Sequence, residues 1–311
     1  MKIAVTTIAF SANDFLVNLI NKSFSSVKYN EKGKRLNSEE LIQFLSDAEV
    51  AIIGLDEIDT EILKKLPNLK CIVKFGVGLN NIDLEACKNR NIIIGWEGGV
   101  NRMAVAEITL GFMISLSRNI FSSSNKMSRG IWKKNGGKSL SELTIGIIGL
   151  GNIGKEIAKL LKPFGAKILA FDIIDYTEYC VSNNIQFVSK LYLLQHSDII
   201  TIHTPLDHST INLIDKPAFN LMNKKPYIIN TARGGIIDEN ALIEAVNSKK
   251  IKGAALDVYK NEPLLNESIY QSEKIICTPH ISGNSYDAVI KMGISSINFV
   301  KKYYFERHKK I

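Results

Sequence analysis

Short apolar runs alternate with amphipathic stretches along the first third of the chain. The apolar runs predict strands at Ile3–Ile8, Val50–Ile53, Lys70–Lys74 and Ile92–Ile94. The stretches between them predict a helix that Ser38 caps and that runs to about Ser46, and further helices at Asp59–Lys65 and Asp83–Lys88. Strands and helices that alternate in this way favour a parallel sheet covered by helices.

A second series of the same kind follows a longer apolar helix, which the pattern predicts from about Ala104 to Leu116. Its strands are predicted at Leu143–Ile148, Lys167–Phe171, Ile199–His203, Tyr227–Asn230, Gly253–Asp257 and Ile275–Cys277. From about Tyr286 the chain predicts a last helix with a basic end. The pattern therefore indicates an α/β protein with two parallel sheets.

Composition changes this picture little. The 311 residues are 45% hydrophobic and 23% charged, which is typical of globular proteins. The apolar start Met1–Val5 is too short for a signal peptide, and no run of 18 apolar residues predicts a membrane span. The four cysteines, at 71, 87, 180 and 277, predict neither a disulfide framework nor a metal site, and Cys71 and Cys277 are expected in the core. A reducing, cytoplasmic compartment follows.

The chain carries a formal net charge of +8. Its densest basic groups are Lys249, Lys250 and Lys252, and then Lys301, Lys302, Arg307, Lys309 and Lys310. No nucleic-acid motif accompanies them, so a solvated surface is favoured over a nucleic-acid partner. A basic balance also suits an acidic small molecule as the ligand.

A glycine-rich turn is the strongest local signal. Gly149, Gly151 and Gly154 follow the predicted strand Thr144–Ile148 and open a helix that includes Lys155–Leu161. In a dinucleotide-binding turn the first glycine permits the tight turn, the second lets the backbone approach a pyrophosphate, and the third lets helix and strand pack closely. A plain strand–helix turn would also explain the glycines.

Asp172 supports the dinucleotide interpretation, because it follows the next predicted strand at the required distance. Its carboxylate can accept hydrogen bonds from ribose hydroxyls, whereas a 2′-phosphate would meet like charge. No Arg or Lys occurs in the following residues 173–175. NAD is therefore preferred over NADP as the predicted cofactor.

The position of the glycine turn in the middle of the chain predicts two Rossmann-like domains. Residues 99–285 are assigned to an NAD-binding domain that is inserted into a discontinuous substrate-binding domain of residues 1–98 and 286–311. Such an insertion predicts a cleft between domains, which is a common place for a ligand.

From about Val50 onward the chain resembles the D-isomer-specific 2-hydroxyacid dehydrogenase family, which includes phosphoglycerate dehydrogenases and glyoxylate reductases. The glycine turn and four further segments carry the resemblance: residues 74–83 (KFGVGLNNID), 230–235 (NTARGG), 255–263 (ALDVYKNEP) and 278–281 (TPHI). The resemblance implies hydride transfer between NAD(H) and C2 of a small 2-hydroxy or 2-keto acid. It also implies a homodimer, to which the apolar helix at Ala104–Leu116 would contribute.

Three residues match the catalytic residues of the family. Arg233 resembles the arginine that grips the substrate carboxylate, a task that suits its bidentate guanidinium. His280 resembles the general acid–base, because imidazole can give and take a proton near neutral pH. Glu262 resembles the carboxylate that holds the ring of this histidine and favours its charged form.

The resemblance also implies the binding residues. Those for the cofactor are Gly149, Gly151, Asn152, Ile153, Gly154, Asp172, Thr204, Pro205, Thr231, Ala232, Asp257 and Gly283. Among them, Thr204 and Pro205 resemble the adenine-side edge of the site, and Asp257 resembles the aspartate near the nicotinamide. Those for the substrate are Gly76, Val77, Gly78 and Arg233, with the carboxylate bound by the backbone N–H groups of Val77 and Gly78. Without the resemblance, Asp257 would be a strand-end cap. Lys74, near the loop of residues 76–78, is either a solvated surface residue, which is favoured, or a cation that aids an anionic substrate.

The chain departs from the common family pattern at residues 95–102 (GWEGGVNR), where many relatives have a Pro-Gly turn. Trp96 there is either a wall of the substrate site or a packing residue, and Arg102 either contacts an anion or lies on the surface. The turn at residues 54–57 lacks the basic side chain that phosphoglycerate enzymes often place near a substrate phosphate. This disfavours 3-phosphoglycerate as the substrate, unless Lys74 or Arg102 supplies the missing cation.

Two other functions fit the same fold. An NAD-sensing binding protein of the corepressor type would keep the cofactor site without turnover, although the Arg233, Glu262 and His280 set favours catalysis. A formate or phosphite dehydrogenase would keep the cofactor site with another hydride donor. The identity of the acid, the direction of the reaction and the roles of Trp96 and Arg102 do not follow from the residues.

Overall fold

The computed structural model of the chain describes residues 1–308, and the predicted basic residues Lys309 and Lys310 and the side chain of Arg307 lie outside the described part. The chain divides into two compact units. Unit 1 contains Met1–Asn101 and the segment that begins at Gly283, and unit 2 contains Arg102–Ser282. The predicted domain boundaries, at 98/99 and 285/286, and the roles assigned to the domains stay predictions.

Unit 1 is built on a five-stranded sheet in the order β2-β1-β3-β4-β5, and all pairs are parallel. Its strands are β1 (Ile3–Val5), β2 (Val27–Tyr29), β3 (Val50–Ile53), β4 (Cys71–Lys74) and β5 (Ile93–Gly95). Every residue of β1, β3 and β4 is buried, because helices cover both faces of the sheet centre.

Five helices connect these strands: α1 (Ile8–Ser11), α2 (Asp14–Asn21), α3 (Ser38–Leu45), α4 (Thr60–Lys64) and α5 (Leu84–Asn89). An Asn or Asp side chain caps each of α2 to α5 by accepting a backbone N–H of the first turn. These caps are Asn13, Asn37, Asp59 and Asp83. The helix starts follow directly from the local sequence.

The N-terminal predictions need correction. The strand that starts at Ile3 ends at Val5, and Ile8 begins α1. The predicted cap Ser38 is the first residue of α3, and Asn37 is the cap, with Glu40 completing a capping box. Strand β2 was not predicted, because it is a short, half-buried edge strand without an apolar run. Helices α1 and α2, which precede it, were not predicted either.

Unit 2 contains a seven-stranded sheet in the order β12-β11-β10-β9-β6-β7-β8, again parallel throughout. Its strands are β6 (Thr144–Ile148), β7 (Lys167–Phe171), β8 (Gln186–Phe187), β9 (Ile199–Ile202), β10 (Tyr227–Asn230), β11 (Gly253–Leu256) and β12 (Ile275–Cys277). The predicted α/β fold with two parallel sheets is confirmed. The strand order reverses between β6 and β9, and ligands of such sheets bind beyond the carboxyl ends at this point.

The remaining helices are α6 (Arg102–Ser117), α7 (Ile120–Met127), α8 (Asn152–Leu161), α9 (Thr177–Ser182), α10 (Lys190–His196), α11 (Lys216–Asn220), α12 (Glu239–Asn247), α13 (Glu267–Tyr270) and α14 (Tyr286–His308). Helix α14 packs in unit 1, against α2, β4 and β5. At Gly293 a Cβ atom would lie 2.3 Å from Leu16, so this glycine permits the close contact with α2.

Helix α6, which the sequence predicts to be apolar on several sides, packs against α8, β10 and β11 within unit 2. No single helix of the described chain is long and apolar enough to span a membrane. By length and composition alone, α6 and α7 together pass that test as a pair bent by 65°. Most of the apolar side chains of α6 belong to the core of unit 2.

All four cysteines are free thiols. Cys71, Cys87 and Cys180 are buried, so the prediction of a core position holds for Cys71. Cys277 is only half-buried, because it ends β12 next to the loop that carries His280.

Candidate active site

Most of the predicted cofactor and catalytic residues lie at one edge of the unit 2 sheet. Parallel strands bring their carboxyl ends to the same edge, and the segments that leave β6, β7, β9, β10, β11 and β12 carry these residues. They are Gly149, Asp172, Thr204, Arg233, Asp257 and His280, in that order of strands. The fold therefore collects side chains that are far apart along the chain.

The three glycines of the turn after β6 differ in what surrounds them. Gly149 has φ +93°, and a Cβ atom there would lie 2.7 Å from the carbonyl of His203. A Cβ on Gly154 would lie 2.1 Å from the carbonyl oxygen of Gly149, whereas a Cβ on Gly151 would meet nothing within 4 Å. The fold itself requires Gly149 and Gly154, and Gly151 leaves open space in front of the helix.

The start of α8 offers unused hydrogen-bond donors. No side chain caps this helix. Among the described residues, no acceptor receives the backbone N–H groups of Gly151, Asn152 or Ile153. Such donors at the positive end of a helix suit a pyrophosphate, so this turn fits a dinucleotide.

Asp172 lies directly beside this turn. Its Oδ2 accepts the N–H of Leu150 at 2.6 Å, and its Oδ1 accepts the N–H of Ile174 at 2.9 Å. Each carboxylate oxygen can accept a second hydrogen bond, so ribose hydroxyls could still bind. The contact with Leu150 ties the carboxylate to the glycine turn.

The segment after β10 places Arg233. The side chain of Asn230 bridges the turn, because its Nδ2 donates to the Arg233 carbonyl at 2.8 Å and its Oδ1 accepts the Ala232 N–H at 3.0 Å. Thr231 is buried, and its hydroxyl lies 2.9 Å from that of Thr109 in α6. The guanidinium donates from Nη1 to the carbonyl of Ala232 at 2.7 Å. Burial lowers the pKa of Arg233, and the nearby charge of Glu262 opposes this lowering.

His280 and Glu262 form a direct pair. The distance from His280 Nδ1 to Glu262 Oε2 is 2.8 Å, and both side chains are about three-quarters buried. Since a carboxylate only accepts, Nδ1 carries the proton of this bond. Among the described residues no hydrogen bond involves Nε2, so this atom is the one left for proton transfer.

The backbone at His280 is left-handed, with φ +55°. Left-handed non-glycine residues cost of order 1–3 kcal/mol, and they cluster at functional sites. The loop holds this conformation through hydrogen bonds on both sides of the histidine. The carboxylate of Asp257 accepts the Thr278 hydroxyl at 2.5 Å and the N–H groups of Ile281 and Ser282 at 2.8 Å.

Asp257 is therefore fully buried and used within the protein. The geometry is that of the strand-end cap, which the sequence left open as an alternative. Its predicted role near the nicotinamide stays a prediction.

Tyr259, which the sequence interpretation missed, joins the three predicted catalytic residues. Its backbone N–H donates to Glu262 Oε1 at 3.2 Å, and its hydroxyl lies 2.9 Å from the carbonyls of Leu256 and Thr278. A Cβ on Gly234, next to Arg233, would lie 1.9 Å from the Tyr259 carbonyl. Burial raises the pKa of the Tyr259 hydroxyl, so it stays a neutral donor.

The segment after β9 contains two buried polar atoms without a partner in the described chain, His203 Nδ1 and Thr204 Oγ1. His203 Nε2 lies 2.7 Å from the Thr201 hydroxyl. Burial lowers the pKa of His203 to about 3, so the ring is neutral. Thr204 and Pro205 follow at the predicted adenine side, where an unpartnered hydroxyl is available to a ligand.

Unit 1 carries the predicted carboxylate-binding loop. Gly76 has φ +129°, and no acceptor in the described residues receives the N–H groups of Gly76, Val77 or Gly78. The indole of Trp96 donates to the Val77 carbonyl at 2.8 Å. These free donors agree with an anion site.

The prediction that Lys74 is a solvated residue is wrong. Lys74 is 6% exposed, and its ammonium donates to the Gly54 carbonyl at 2.5 Å and to Asn81 Oδ1 at 2.6 Å. The turn at residues 54–57 does have a basic neighbour, since the guanidinium of Arg35 donates to the Leu55 carbonyl. The sequence could not show this, because Arg35 precedes the turn by 20 residues.

The two remaining predicted residues lie where the chain passes between the units. Arg102, at the start of α6, pairs with Glu156 of α8 at 3.3 Å. Gly283 lies against Asn101, because a Cβ there would be 2.5 Å from Asn101 Nδ2. Both residues have structural contacts, and the cofactor role of Gly283 stays a prediction.

Paired glycine variants test the cofactor site. Gly154→Ala would place Cβ against the Gly149 backbone, so we expect the free energy of unfolding to fall by about 1–3 kcal/mol. Gly151→Ala would place Cβ in open space, so we expect a change below about 0.5 kcal/mol. Denaturant unfolding measures both changes. Calorimetric titration should show weaker NADH binding in both variants. Native NADH affinity in Gly151→Ala would contradict the assignment of this turn to the dinucleotide.

Known proteins resemble this chain over most of its length. The family model for the NAD-binding domain of D-isomer specific 2-hydroxyacid dehydrogenases matches residues 110–282. A hydroxypyruvate reductase of Thermotoga maritima is 33% identical over 86% of this chain and 89% of its own length. A D-3-phosphoglycerate dehydrogenase of Methanocaldococcus jannaschii is 35% identical over 86% of this chain. The match covers 52% of the length of this enzyme and 49% of the length of the D-3-phosphoglycerate dehydrogenase of Sus scrofa. The chain therefore spans about half the length of these relatives.

Solved structures agree with these matches. The crystal structure of a putative D-isomer specific 2-hydroxyacid dehydrogenase from Polaromonas sp. JS6 66 has a TM-score of 0.88 with 26% identity, and the match covers 98% of this chain and 97% of that one. The glycine turn, Asp172 and the His280–Glu262 pair occur in the matched part of the fold. This chain belongs to the D-isomer specific 2-hydroxyacid dehydrogenase family.

Proposed function

We propose that the protein is an NAD-dependent oxidoreductase that interconverts a small D-2-hydroxy acid and its 2-oxo acid. The observation that carries this proposal is the His280 Nδ1–Glu262 Oε2 bond of 2.8 Å, which leaves Nε2 for a substrate oxygen. Arg233 is connected to this pair through Tyr259: Gly234, the residue after Arg233, packs against the Tyr259 carbonyl, and the Tyr259 N–H donates to Glu262. An acid–base and a carboxylate-binding cation at one sheet edge suit this reaction.

The residues around the glycine turn would hold the dinucleotide. The N–H groups of Gly151, Asn152 and Ile153 would bind the pyrophosphate, and Asp172 would accept the ribose hydroxyls. When bound, the nicotinamide supplies or accepts the hydride at C2. This arrangement leaves the protein side chains to bind the acid and to move one proton.

His280 performs the proton transfer. In the reducing direction its Nε2 gives a proton to the C2 oxygen, and in the oxidising direction it takes that proton back. The carboxylate of Glu262 fixes the ring by accepting the hydrogen bond of Nδ1. Asp257 accepts the N–H groups of Ile281 and Ser282 and so holds the loop that carries His280. The imidazole is therefore in position before the reaction begins.

Arg233 binds and orients the substrate. Its guanidinium can donate two parallel hydrogen bonds to the carboxylate next to C2. Partial burial strengthens this interaction, since charge is screened less than on the surface. The N–H groups of Val77 and Gly78 are proposed as further carboxylate donors, as the family resemblance implies.

The activity can be tested with purified protein and a panel of 2-oxo acids, following NADH absorbance. We expect NADH oxidation with at least one member of the panel. NADH binding without any turnover would instead support the NAD-sensing alternative. Turnover of NAD with formate or phosphite alone would support the other hydride donors.

Cofactor choice gives a separate prediction. Asp172 should favour NAD over NADP, because a 2′-phosphate would approach its carboxylate. Asp172→Ala should weaken NADH binding about tenfold, in line with the loss of charge-assisted hydrogen bonds, and reduce the preference over NADPH. Asp175→Ala is the matched control, since Asp175 is exposed and its carboxylate accepts hydrogen bonds from the backbone and hydroxyl of Thr177. Faster turnover with NADPH than with NADH in the native protein would contradict this assignment.

Three further expectations from the sequence stay predictions. They are self-association as a homodimer, a cytoplasmic location, and the absence of nucleic-acid and membrane partners.

A further inference from the structure

The loops that follow β1, β3, β4 and β5 meet at the carboxyl edge of the unit 1 sheet. Two contacts join neighbouring loops: the Gly54 carbonyl accepts the Lys74 ammonium at 2.5 Å, and a Cβ on Gly54 would lie 3.0 Å from Thr7. The predicted carboxylate loop, residues 76–78, belongs to this edge. Substrate bound there would therefore place its side chain among these loops.

We propose that this edge selects a 2-oxo acid with an apolar side chain and without a phosphate group, and that Trp96 both orients the carboxylate loop and forms part of the side-chain wall. This inference rests on the proposed function and specifies its substrate class. Two sets of observations support it.

The first set concerns Trp96. Its Nε1 donates to the Val77 carbonyl at 2.8 Å. The peptide bond is planar and trans, so a fixed Val77 carbonyl also fixes the direction of the Gly78 N–H, which lies in the same plane and points the opposite way. Neither this N–H nor that of Val77 has an acceptor in the part of the chain that the structure describes.

Helix α14 holds Trp96 in position from both sides. A Cβ on Gly95 would lie 3.1 Å from Phe299, so the backbone before Trp96 packs directly on this ring. After Trp96, the carboxylate of Glu97 accepts the Ser295 hydroxyl at 2.5 Å. The indole is thus a fixed part of the site, although 41% of Trp96 is exposed.

The second set concerns the surface of the edge. Besides Trp96, two large exposed apolar residues lie close after these strands: Ile8, the first residue of α1, at 40% exposure, and Leu55 at 45%. Both follow the ends of adjacent parallel strands, β1 and β3. An apolar substrate side chain would cover such residues and remove them from water.

The charges of the edge disfavour a phosphate. The cations are Lys74, buried with its donors used by Gly54 and Asn81, and Arg35, which donates to the Leu55 carbonyl. The carboxylates in the loops after β3 and β5 are Asp56, Glu57 and Glu97. Two further cations, Lys32 and Lys34 in the loop after β2, are paired with Glu40. Asp56 is buried and accepts the Thr6 hydroxyl at 2.5 Å. A phosphate would add about two negative charges to this surface.

The test compares kcat/KM for NADH-dependent reduction of 4-methyl-2-oxopentanoate, pyruvate, hydroxypyruvate and 3-phosphohydroxypyruvate. We expect the branched apolar acid to exceed the phosphorylated acid at least about tenfold. Equal or better use of 3-phosphohydroxypyruvate would overturn the inference while leaving the proposed function intact. No turnover with any of the four, despite NADH binding, would instead overturn the proposed function.

Variants separate the two roles of Trp96. Trp96→Phe keeps an aromatic wall but loses the bond to Val77, so KM should rise roughly three- to tenfold for all accepted acids, with their ranking unchanged. Trp96→Ala should also reduce the preference for the apolar acid. Trp132→Phe is the matched control, because Trp132 is 76% exposed on another unit, and it should leave every KM unchanged. Unchanged KM values in Trp96→Phe would overturn the orienting role.

Leu55→Arg provides a gain-of-function test. The added cation should raise kcat/KM for 3-phosphohydroxypyruvate at least about tenfold relative to 4-methyl-2-oxopentanoate, since it places a positive charge at the edge and removes an apolar side chain. Leu55→Gln removes the apolar side chain without adding charge and should not produce this rise. A similar change in both variants, or none in Leu55→Arg, would show that the side chain of the substrate lies elsewhere.

Discussion

Replacing His280 by Asn is expected to slow 2-oxo acid reduction by about two to four orders of magnitude, the usual contribution of a positioned acid–base. An amide cannot donate and regain a proton at the C2 oxygen. Asn is the suitable replacement because it tolerates the left-handed backbone that this position requires, with φ +55°. The loop should therefore keep its shape, and the lost activity should report the lost proton donor.

The measurement is single-turnover NADH oxidation with the best 2-oxo acid, together with NADH affinity by calorimetry. We expect unchanged affinity, because the glycine turn and Asp172 are separate from the His280–Glu262 pair. His196→Asn is the control, since His196 is an exposed residue stacked on Tyr192 at the end of α10. Near-native rates in the His280 variant would refute its assigned role.

Replacing Arg233 by Lys should lower kcat/KM for 2-oxo acids by about ten- to hundredfold, mainly through a higher KM. A charge-assisted hydrogen bond contributes about 1.5–3 kcal/mol, and an ammonium cannot reproduce the parallel pair of a guanidinium. The positive charge remains, so this variant separates geometry from charge. Steady-state kinetics over a range of 2-oxo acid concentrations measure the effect.

Arg129→Lys is the control for this change, because Arg129 bonds Glu273 on the surface of the same unit. We expect it to behave as the native protein. If Arg233→Lys also retained native KM values, the substrate carboxylate would have to bind elsewhere, and the carboxylate loop of unit 1 would be the first place to examine. Loss of folded protein would be visible in the unfolding curve and can be separated from lost binding.

The effects expected for the His280 and Arg233 variants depend on the same set of hydrogen bonds and packing contacts inside unit 2. Tyr259 bonds Glu262 through its backbone and the Thr278 segment through its hydroxyl, and it packs against Gly234. Asp257 fixes the other side of the His280 loop. The acid–base and the arginine are thus positioned by buried residues that do not need to touch the substrate.

Local sequence was sufficient for the strands and helices with strong patterns. Apolar runs such as Val50–Ile53 and Tyr227–Asn230 became strands with the predicted bounds, because buried parallel strands consist of continuous apolar residues. The glycine turn was equally readable, since its φ value at Gly149 and its close contact at Gly154 can be met only by glycine. Weak edge elements such as β2 were missed, because half-buried strands have no distinctive pattern.

The sequence indicated the chemical role of a site residue only where that residue lies in a motif of the family. Arg233, Glu262 and His280 were selected by resemblance, and the sequence alone could not show that Glu262 Oε2 lies 2.8 Å from the ring. Trp96 and Lys74 were ambiguous for the same reason, since a side chain's partner depends on which strands become neighbours. Parallel strand order brought Trp96 to Val77 and Lys74 to Gly54.

What the sequence by itself determined was therefore the alternation of strands and helices, the glycine turn and the family, because each depends on residues that are close along the chain. The tertiary structure alone decided the roles of Tyr259, Arg35 and Asp257. Their partners lie about 20 residues away, at Thr278, Leu55 and Ile281, and only the packing of parallel strand ends brings them into hydrogen-bonding distance. Buried polar groups must find such partners to offset lost hydration, and no local pattern specifies which partner they find.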